Sequence, residues 1–296
     1  MIFCVEDDPN IRELAVYTLQ SVGFKALGVG SGDELFKALE CGKPTLILLD
    51  IMLPGEDGLS LLKRLRSDIQ IIFQDPYSTL NPRYTVEDTL AEPLKLSGQY
   101  KGAELDKRII QLMDMVGISG RLRMAYPHEL SGGRRQRVGI GRAISLQPKF
   151  IVCEEPVSAL DVSIQAQIVN LLKELQNGFG ITYMFVSHDM SVVRHISHDI
   201  SVMYLGQLVE TSESGELFRR PLHPYTKGLL DAVPIPSLKA KKLSTEVMRG
   251  ELTSPVDPAP GCRFAARCPY ATDACRGRDI PLKEVEPGHF VSCTRF

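Results

Sequence analysis

Short apolar runs recur along this chain, each followed by a segment whose apolar residues repeat at helical spacing, and that alternation restricts it to a layered α/β architecture. MIFCV reads as a strand, Ile11, Leu14, Ala15 and Leu19 as one helix face, and TLILL as the next strand. IQIIF at 69 to 73 reads as a further buried strand, after which FQDPYSTLNPR is a polar, proline-containing turn. From Val86 the pattern is helical, with Leu105, Ile109, Leu112, Met113 and Val116 spaced for one buried face. Beyond Pro148 the alternation returns: KFIVC as a strand, Ile164, Ile168, Leu171, Leu172 and Leu175 as a helix face, and ITYMFV as a strand. The expected class is therefore α/β, a parallel sheet with flanking helices and a helical subdomain between its parts. ISVMYL and QLVET meet at Gly206 in the manner of a hairpin. Seven of the 19 prolines fall between residues 221 and 260, which predicts an extended, irregular connection to a small cysteine-bearing tail.

Composition narrows the partners. Of 296 residues 44% are hydrophobic, enough to bury a sizeable core, and 34 basic against 36 acidic residues leave a formal net charge of −2. That balance gives no general pull toward nucleic acid, so no nucleic-acid partner is expected. No run approaches the roughly 18 apolar residues of a spanning helix, and MIFCVEDDPN turns acidic too early for a secretory signal, so a cytoplasmic chain is expected. In that compartment seven cysteines do not suggest a disulfide framework; the four between Cys262 and Cys293 suggest metal or cluster binding.

Residues 130 to 143 read LSGGRRQRVGIGRA, so the small residues Ser131, Gly132 and Gly133 precede a basic, apolar-periodic helix whose first N–H groups can face an anion. A glycine-rich helix start with exposed arginines is the bland alternative. This run resembles the signature motif of ABC transporter ATPases, which contacts the γ-phosphate of ATP held by the opposing subunit. Downstream, FIVCEEP puts two carboxylates after a buried strand, where that family has its Walker B element. The resemblance implies that Glu154 coordinates Mg²⁺ and that Glu155 orients or deprotonates the attacking water. The first position is usually aspartate, and the extra methylene of glutamate displaces an ion that tolerates displacement poorly. SALD at 158 to 161 resembles the D-loop, placing Asp161 at the subunit interface. VSHD at 186 to 189 resembles the switch, with His188 near the γ-phosphate, and Gln74 occupies the position of the Q-loop glutamine.

The stretches FQDPYSTLNPR, EEPVSALDVSIQAQIVNLL, HPYTKGLLDAVP and the proline-cysteine tail together resemble the oligopeptide and dipeptide importer branch, over residues 69 to 296. The resemblance implies ATP and Mg²⁺ as cofactors, a second ABC ATPase subunit and membrane permease subunits as partners, and a position on the cytoplasmic face of the inner membrane. One part of the family pattern is missing from the sequence. ATP hydrolysis needs a GxxxxGKS/T loop whose amides cradle the phosphates, and the nearest glycine cluster, GVGSGDELFK at 28 to 37, lacks GKS or GKT. The expectation is a chain impaired in autonomous hydrolysis that can still lend Ser131, Gly132 and Gly133 to a partner's nucleotide.

The front of the chain has a different likeness. VEDDPNIR at 5 to 12 and LILLDIMLPGEDGL at 46 to 59 resemble the first and third strand ends of a response-regulator receiver. The resemblance implies that Glu6, Asp7 and the Met52 carbonyl hold Mg²⁺, that Asp50 accepts a phosphoryl group, and that a histidine kinase is the donor. A receiver also needs a Ser or Thr after its fourth strand and a lysine after its fifth, whereas Gln74 and Asp75 follow IQIIF here. The expected division is a truncated receiver-like segment at 1–68, an ABC ATPase portion at 69–220 and an importer-type C-terminal region at 221–296, with the receiver strands packing beside KFIVC and ITYMFV in one hybrid layer. A phosphorelay switch acting through Asp50, or a chimera with neither activity, is the alternative to an importer ATPase.

In the tail, Cys262, Cys268, Cys275 and Cys293 follow a C-x5-C-x6-C-x17-C spacing. Four thiolates in a reducing compartment suit a 4Fe-4S cluster or tetrahedral zinc, and the importer resemblance favours iron and sulfur. Cys4, Cys41 and Cys153 are expected to be small core residues.

Overall fold

The computed structural model describes residues 1–21, 23–53, 58–232 and 258–296, so Pro54 to Asp57 of the second receiver motif and most of the proline-rich connection lie outside the described residues. The chain divides into two compact units. The first is 1–152 with 175–184, and the second is 153–174 with 185–296, so the boundary passes through strands β5 and β6 named below.

The first unit opens as repeated βα segments: β1 (Ile2–Val5), α1 (Pro9–Ser21), β2 (Ala26–Val29), α2 (Gly32–Cys41), β3 (Leu46–Leu49) and α3 (Gly58–Asp68). The strands pair in parallel in the order β2-β1-β3, with Ile2 opposite Ala26 on one side and Leu46 on the other. Phe3, Val5, Val29, Leu35, Leu53 and Leu61 are buried together beneath this sheet. Helix α1 departs from the sequence reading: it buries none of its residues, and Ile11 and Leu14 are exposed. Cys4 is buried as expected, but Cys41 ends α2 in an exposed position.

Strand β4 (Ile69–Ile72) does not extend that sheet. It lies in a separate three-stranded sheet of order β4-β5-β6, with β5 (Phe150–Glu154) central and β6 (Thr182–Val186) at the other edge. The single hybrid layer expected from sequence is thus replaced by two sheets. The chain immediately before β4 is tied toward β5, where Lys149 N–H donates to the Asp68 carbonyl at 3.0 Å and its ammonium meets the Asp68 carboxylate at 2.9 Å.

Between these strands lie α4 (Pro76–Thr79), α5 (Val86–Ser97), α6 (Gly102–Met115) and α7 (Gly132–Ile144). A reciprocal cap starts α5: Thr85 Oγ1 accepts from Asp88 N–H at 3.1 Å and Asp88 Oδ2 accepts from Thr85 N–H at 3.1 Å. Its end is set by Gly98 in the left-handed region, φ 72°. The stripe Ile109, Leu112, Met113 and Val116 is buried, as its spacing predicts. Gly141 lets α7 approach α5, because a Cβ there would stand 2.9 Å from Leu90 Cδ2.

The second unit carries α8 (Val162–Phe179) up to Glu174, then α9 (Met190–Ile196), β7 (Asp199–Tyr204), β8 (Gln207–Glu213), α10 (Ser214–Arg219) and α11 (Pro224–Asp231). The predicted hairpin is present. Its two-residue loop has positive φ at both Leu205 (47°) and Gly206 (75°), the twist that suits tightly joined antiparallel strands. The tail ends in β9 (Lys283–Glu286) and β10 (His289–Val291), and β10 joins the hairpin so that the sheet runs β7-β8-β10-β9. A core of Val193, Ile200, Val202, Tyr204, Val209, Leu217 and Phe264 holds hairpin and tail together. Tyr204 meets Phe264 edge-on with ring centroids 5.3 Å apart.

Candidate functional site

In the first unit, Ser131 is the residue preceding α7, and its hydroxyl makes no capping hydrogen bond. Ser131 is exposed, Gly132 half-buried and Gly133 buried, and the first turn carries no acidic residue. A 13-residue helix with that start presents free N–H groups and the positive end of its dipole, with no carboxylate to compete with an incoming anion. Gln74 is exposed just ahead of α4, whose first turn is capped by Asp75 accepting from Tyr77 N–H at 2.8 Å.

In the second unit, Glu154 ends β5 with its side chain exposed. Glu155 follows with φ 42°, a left-handed conformation that side chains rarely adopt, and its N–H donates to the Val186 carbonyl at 2.9 Å. That turn swings its carboxylate to His188, with Nδ1 and Oε1 3.0 Å apart. The hydrogen bond from His188 holds the Glu155 carboxyl below its ordinary range against a smaller opposing effect of burial, so the group is an ionised acceptor near neutrality. His188 itself is largely exposed, open to a ligand on its other face. Asp161 caps α8, accepting from Ile164 N–H at 3.0 Å and from the Ser163 hydroxyl at 2.6 Å, and these bonds lower its pKa. Glu155 and His188 are thus brought into direct contact, while Asp161 is anchored to the start of its helix.

At the front of the chain, carboxylate oxygens of Glu6, Asp7 and Asp50 lie within 4.8 Å of one another. The main chain arranges them: Glu6 N–H donates to the Val29 carbonyl at 3.1 Å and Asp50 N–H to the Val5 carbonyl at 2.9 Å, which aligns the ends of the parallel strands. Met52 N–H donates to Asp50 Oδ1 at 3.3 Å, and the Met52 side chain is exposed. Asp8 instead caps α1, and backbone hydrogen bonds from Ile11 and Asn10 lower its pKa.

The four tail cysteines line one pocket with His223, Tyr270 and Thr294. Gly261 makes the fold of that loop feasible. Its φ is 114° and an added Cβ would stand 2.5 Å from the Cys275 carbonyl, which accepts from Cys262 N–H at 2.9 Å. Burial pushes the Cys262 and Cys268 thiols up, with the neighbouring cysteines adding to the effect. At Cys275 burial also acts upward but is outweighed by hydrogen bonds from Thr272 and Thr294, so that thiol lies below its ordinary value. Burial pushes the thiol of Cys153, inside β5, up to about 12, in keeping with an inert core residue.

One polar cluster was not visible in the sequence. Glu210, on β8, is fully buried and accepts from Leu222 N–H at 2.7 Å, His223 N–H at 2.9 Å and His289 Nε2 at 2.7 Å. It therefore holds the HPYT segment and the tail strand at once. The 79 residues separating Glu210 from His289 conceal the pair from any local pattern.

Three family models match parts of the chain. A model described as "ABC transporter" matches residues 41–158, which places the helical region and the Glu154 strand in that class of ATPase. "Oligopeptide/dipeptide transporter, C-terminal region" matches 209–275, and "Response regulator receiver domain" matches 2–76. The oligopeptide transport ATP-binding protein AppF of Bacillus subtilis is 47% identical over 249 residues, covering 82% of this chain and 76% of the relative. The oligopeptide transport ATP-binding protein OppF of Haemophilus influenzae is 40% identical over 311 residues, covering 99% and 94%. Among solved structures, cbiO1 of Clostridium perfringens, part of the ABC transporter complex cbiONQ, superposes with TM-score 0.49 at 22% identity, covering 74% of this chain and 79% of that one. The chain belongs to the oligopeptide transport ATP-binding proteins, the ATPase subunits of ABC importers.

Proposed function

We propose that this chain serves an oligopeptide or dipeptide importer as an ATPase subunit that contributes catalytic groups to a shared nucleotide but does not turn over ATP alone. The observation that carries the reading is the Glu155–His188 contact at 3.0 Å, which couples a carboxylate kept ionised to an exposed imidazole. In this role Glu155 polarises the attacking water, His188 bears on the γ-phosphate and Glu154 attends to Mg²⁺, while Gln74 has the Q-loop role that the family resemblance implies. Ser131, Gly132 and Gly133 offer α7 amides to the triphosphate seated in the partner subunit, and Asp161 lies at that interface. The lack of a GxxxxGKS/T loop in the sequence supports the limit on solitary turnover. Among the described residues no helix is long and apolar enough to cross a membrane, in keeping with a subunit that docks onto permease subunits at the cytoplasmic face. The working divisions are 1–68, 69–220 and 221–296.

The test is reconstitution with a second ATPase subunit that carries an intact phosphate-binding loop. ATP hydrolysis by the mixture above that of the second subunit alone, lost on replacing Ser131 with Arg, supports the reading; rates unaffected by this chain contradict it.

Two additions rest on specific geometry. The four thiols of Cys262, Cys268, Cys275 and Cys293 line one pocket and suit a 4Fe-4S cluster or tetrahedral zinc, and the importer resemblance favours iron and sulfur. Such a cluster would be held by those thiolates and would act there as a cross-link of the tail; visible absorbance of anaerobically purified protein tests it. The Glu6, Asp7 and Asp50 cluster favours a second reading, a receiver whose Asp50 takes a phosphoryl group with Mg²⁺ bound by Glu6, Asp7 and the Met52 carbonyl. Acetyl-phosphate labelling that disappears in Asp50→Asn supports it, and a histidine kinase would then be the natural donor.

A further inference from the structure

His289 also belongs to a second constellation that neither the ATPase reading nor the cysteine pocket employs. A ring nitrogen of His289 and one carboxylate oxygen each from Glu216 and Glu286 lie within 4.8 Å of one another. The three come from separate elements: Glu216 from α10, Glu286 from β9 and His289 from β10, where Glu286 is the register partner of His289 across the antiparallel pair. A shift in register between His289 and Phe290 marks an irregularity beside the cluster.

His289 is 1% exposed. Its Nε2 lies 2.7 Å from the fully buried Glu210 carboxylate, and in the tautomer that carries its proton on Nε2 this atom donates while Nδ1 keeps its lone pair. Nδ1 is buried and has no hydrogen-bond partner among the described residues. A buried acceptor left bare costs about 1–3 kcal/mol, so such atoms call for a ligand. A histidine whose one nitrogen is fixed by a buried carboxylate and whose other is bare has the arrangement by which proteins orient an imidazole toward a metal.

We propose that Glu216, Glu286 and the Nδ1 atom of His289 form a binding site for a divalent transition-metal cation of the zinc type, oriented by Glu210. One nitrogen and two carboxylates are a ligand set that zinc accepts, with water completing four-coordination. The carboxylates are only half-buried, so an ion can enter from solvent. Their present partners are arginines: Arg219 pairs with Glu216 and Arg220 with Glu286. Both arginines are largely exposed and swing away when the ion enters, so guanidinium and metal compete for the same oxygens. Bound metal would then cross-link α10 to the β9–β10 strands, just ahead of Cys293.

Thiols such as those of the cysteine pocket can also bind added zinc, so the test must report on His289 itself. Only six histidines are present, and ¹⁵N-histidine labelling of the full chain resolves their imidazole nitrogens. With ZnCl₂ as probe, the His289 Nδ1 resonance is expected to move on titration. Glu286→Gln should weaken that response at least tenfold, and Arg220→Ala should strengthen it several-fold. A His289 resonance that stays in place while zinc is taken up elsewhere, or one that moves equally in Glu286→Gln, overturns the proposal. The wild-type spectrum alone decides the first outcome, whatever the variants' stability.

Discussion

Glu155 Oε1 and His188 Nδ1 stand 3.0 Å apart because Glu155 adopts a left-handed backbone conformation at the end of β5 while its N–H is held by the Val186 carbonyl. The strained turn aims the carboxylate, and the hydrogen bond to the imidazole lowers its pKa. Replacing Glu155 with Gln keeps the shape and removes the charge. In the reconstituted pair, ATP hydrolysis should fall by about 10²-fold or more at unchanged ATP affinity. Parallel loss of binding would mean that Glu155 holds nucleotide and is not the group acting on water.

Burial moves His223 from an ordinary imidazole down to about 4, opposed by the nearby Glu210 carboxylate. Its neutral Nδ1 accepts from Tyr225 N–H at 3.1 Å and caps α11. Because the unfolded chain binds this proton at higher pH than the folded one, stability is full above about pH 6.5 and falls as pH drops toward about 4. The loss contributed by this group is at most about 3 kcal/mol. Asn at position 223 keeps a capping acceptor without the titration, so its denaturant midpoint should vary less between pH 7 and pH 5 than that of the wild type.

Gly261 permits the approach of its loop to the Cys275 carbonyl, where no side chain fits. Gly261→Ala should destabilise the second unit by about 1–3 kcal/mol. Cys275, 8% exposed, should then react with a thiol reagent on the order of tenfold faster as the loop opens. Unchanged labelling would show that the loop can reshape without disturbing the pocket.

Arg123 joins two helices through its planar fork. It donates to both Glu87 oxygens, at 2.6 and 2.9 Å, and also pairs with Asp106. These hydrogen bonds push its pKa up, and the site is only partly exposed. Arg123→Ala should cost about 1 kcal/mol by chemical denaturation, and Lys should recover less than half, since an ammonium cannot reproduce the bidentate pair.

Much of this architecture was legible because it follows from local periodicity. The stripe Ile109, Leu112, Met113 and Val116 repeats at helical spacing and is buried, and the two apolar runs around Leu205 and Gly206 needed only a tight turn between them. The receiver strands form a sheet of their own instead of one layer with KFIVC and ITYMFV, because IQII fits either sheet and only non-local pairing decides. Ile11 and Leu14 share a helical face but remain exposed, since periodicity states which residues align and not what covers them. The clustered carboxylates Glu6, Asp7 and Asp50 were found from their short motifs. The Glu210–His289 pair was missed because two polar residues far apart in sequence gain meaning only when folding buries them together.

The central claim is that this chain acts on a nucleotide held elsewhere, and equilibrium binding of a fluorescent ATP analogue with Mg²⁺ to the isolated full-length chain tests it most directly. The account predicts no saturable binding in the micromolar range. Micromolar affinity by the chain alone, accompanied by turnover that Glu155→Gln abolishes, would contradict it.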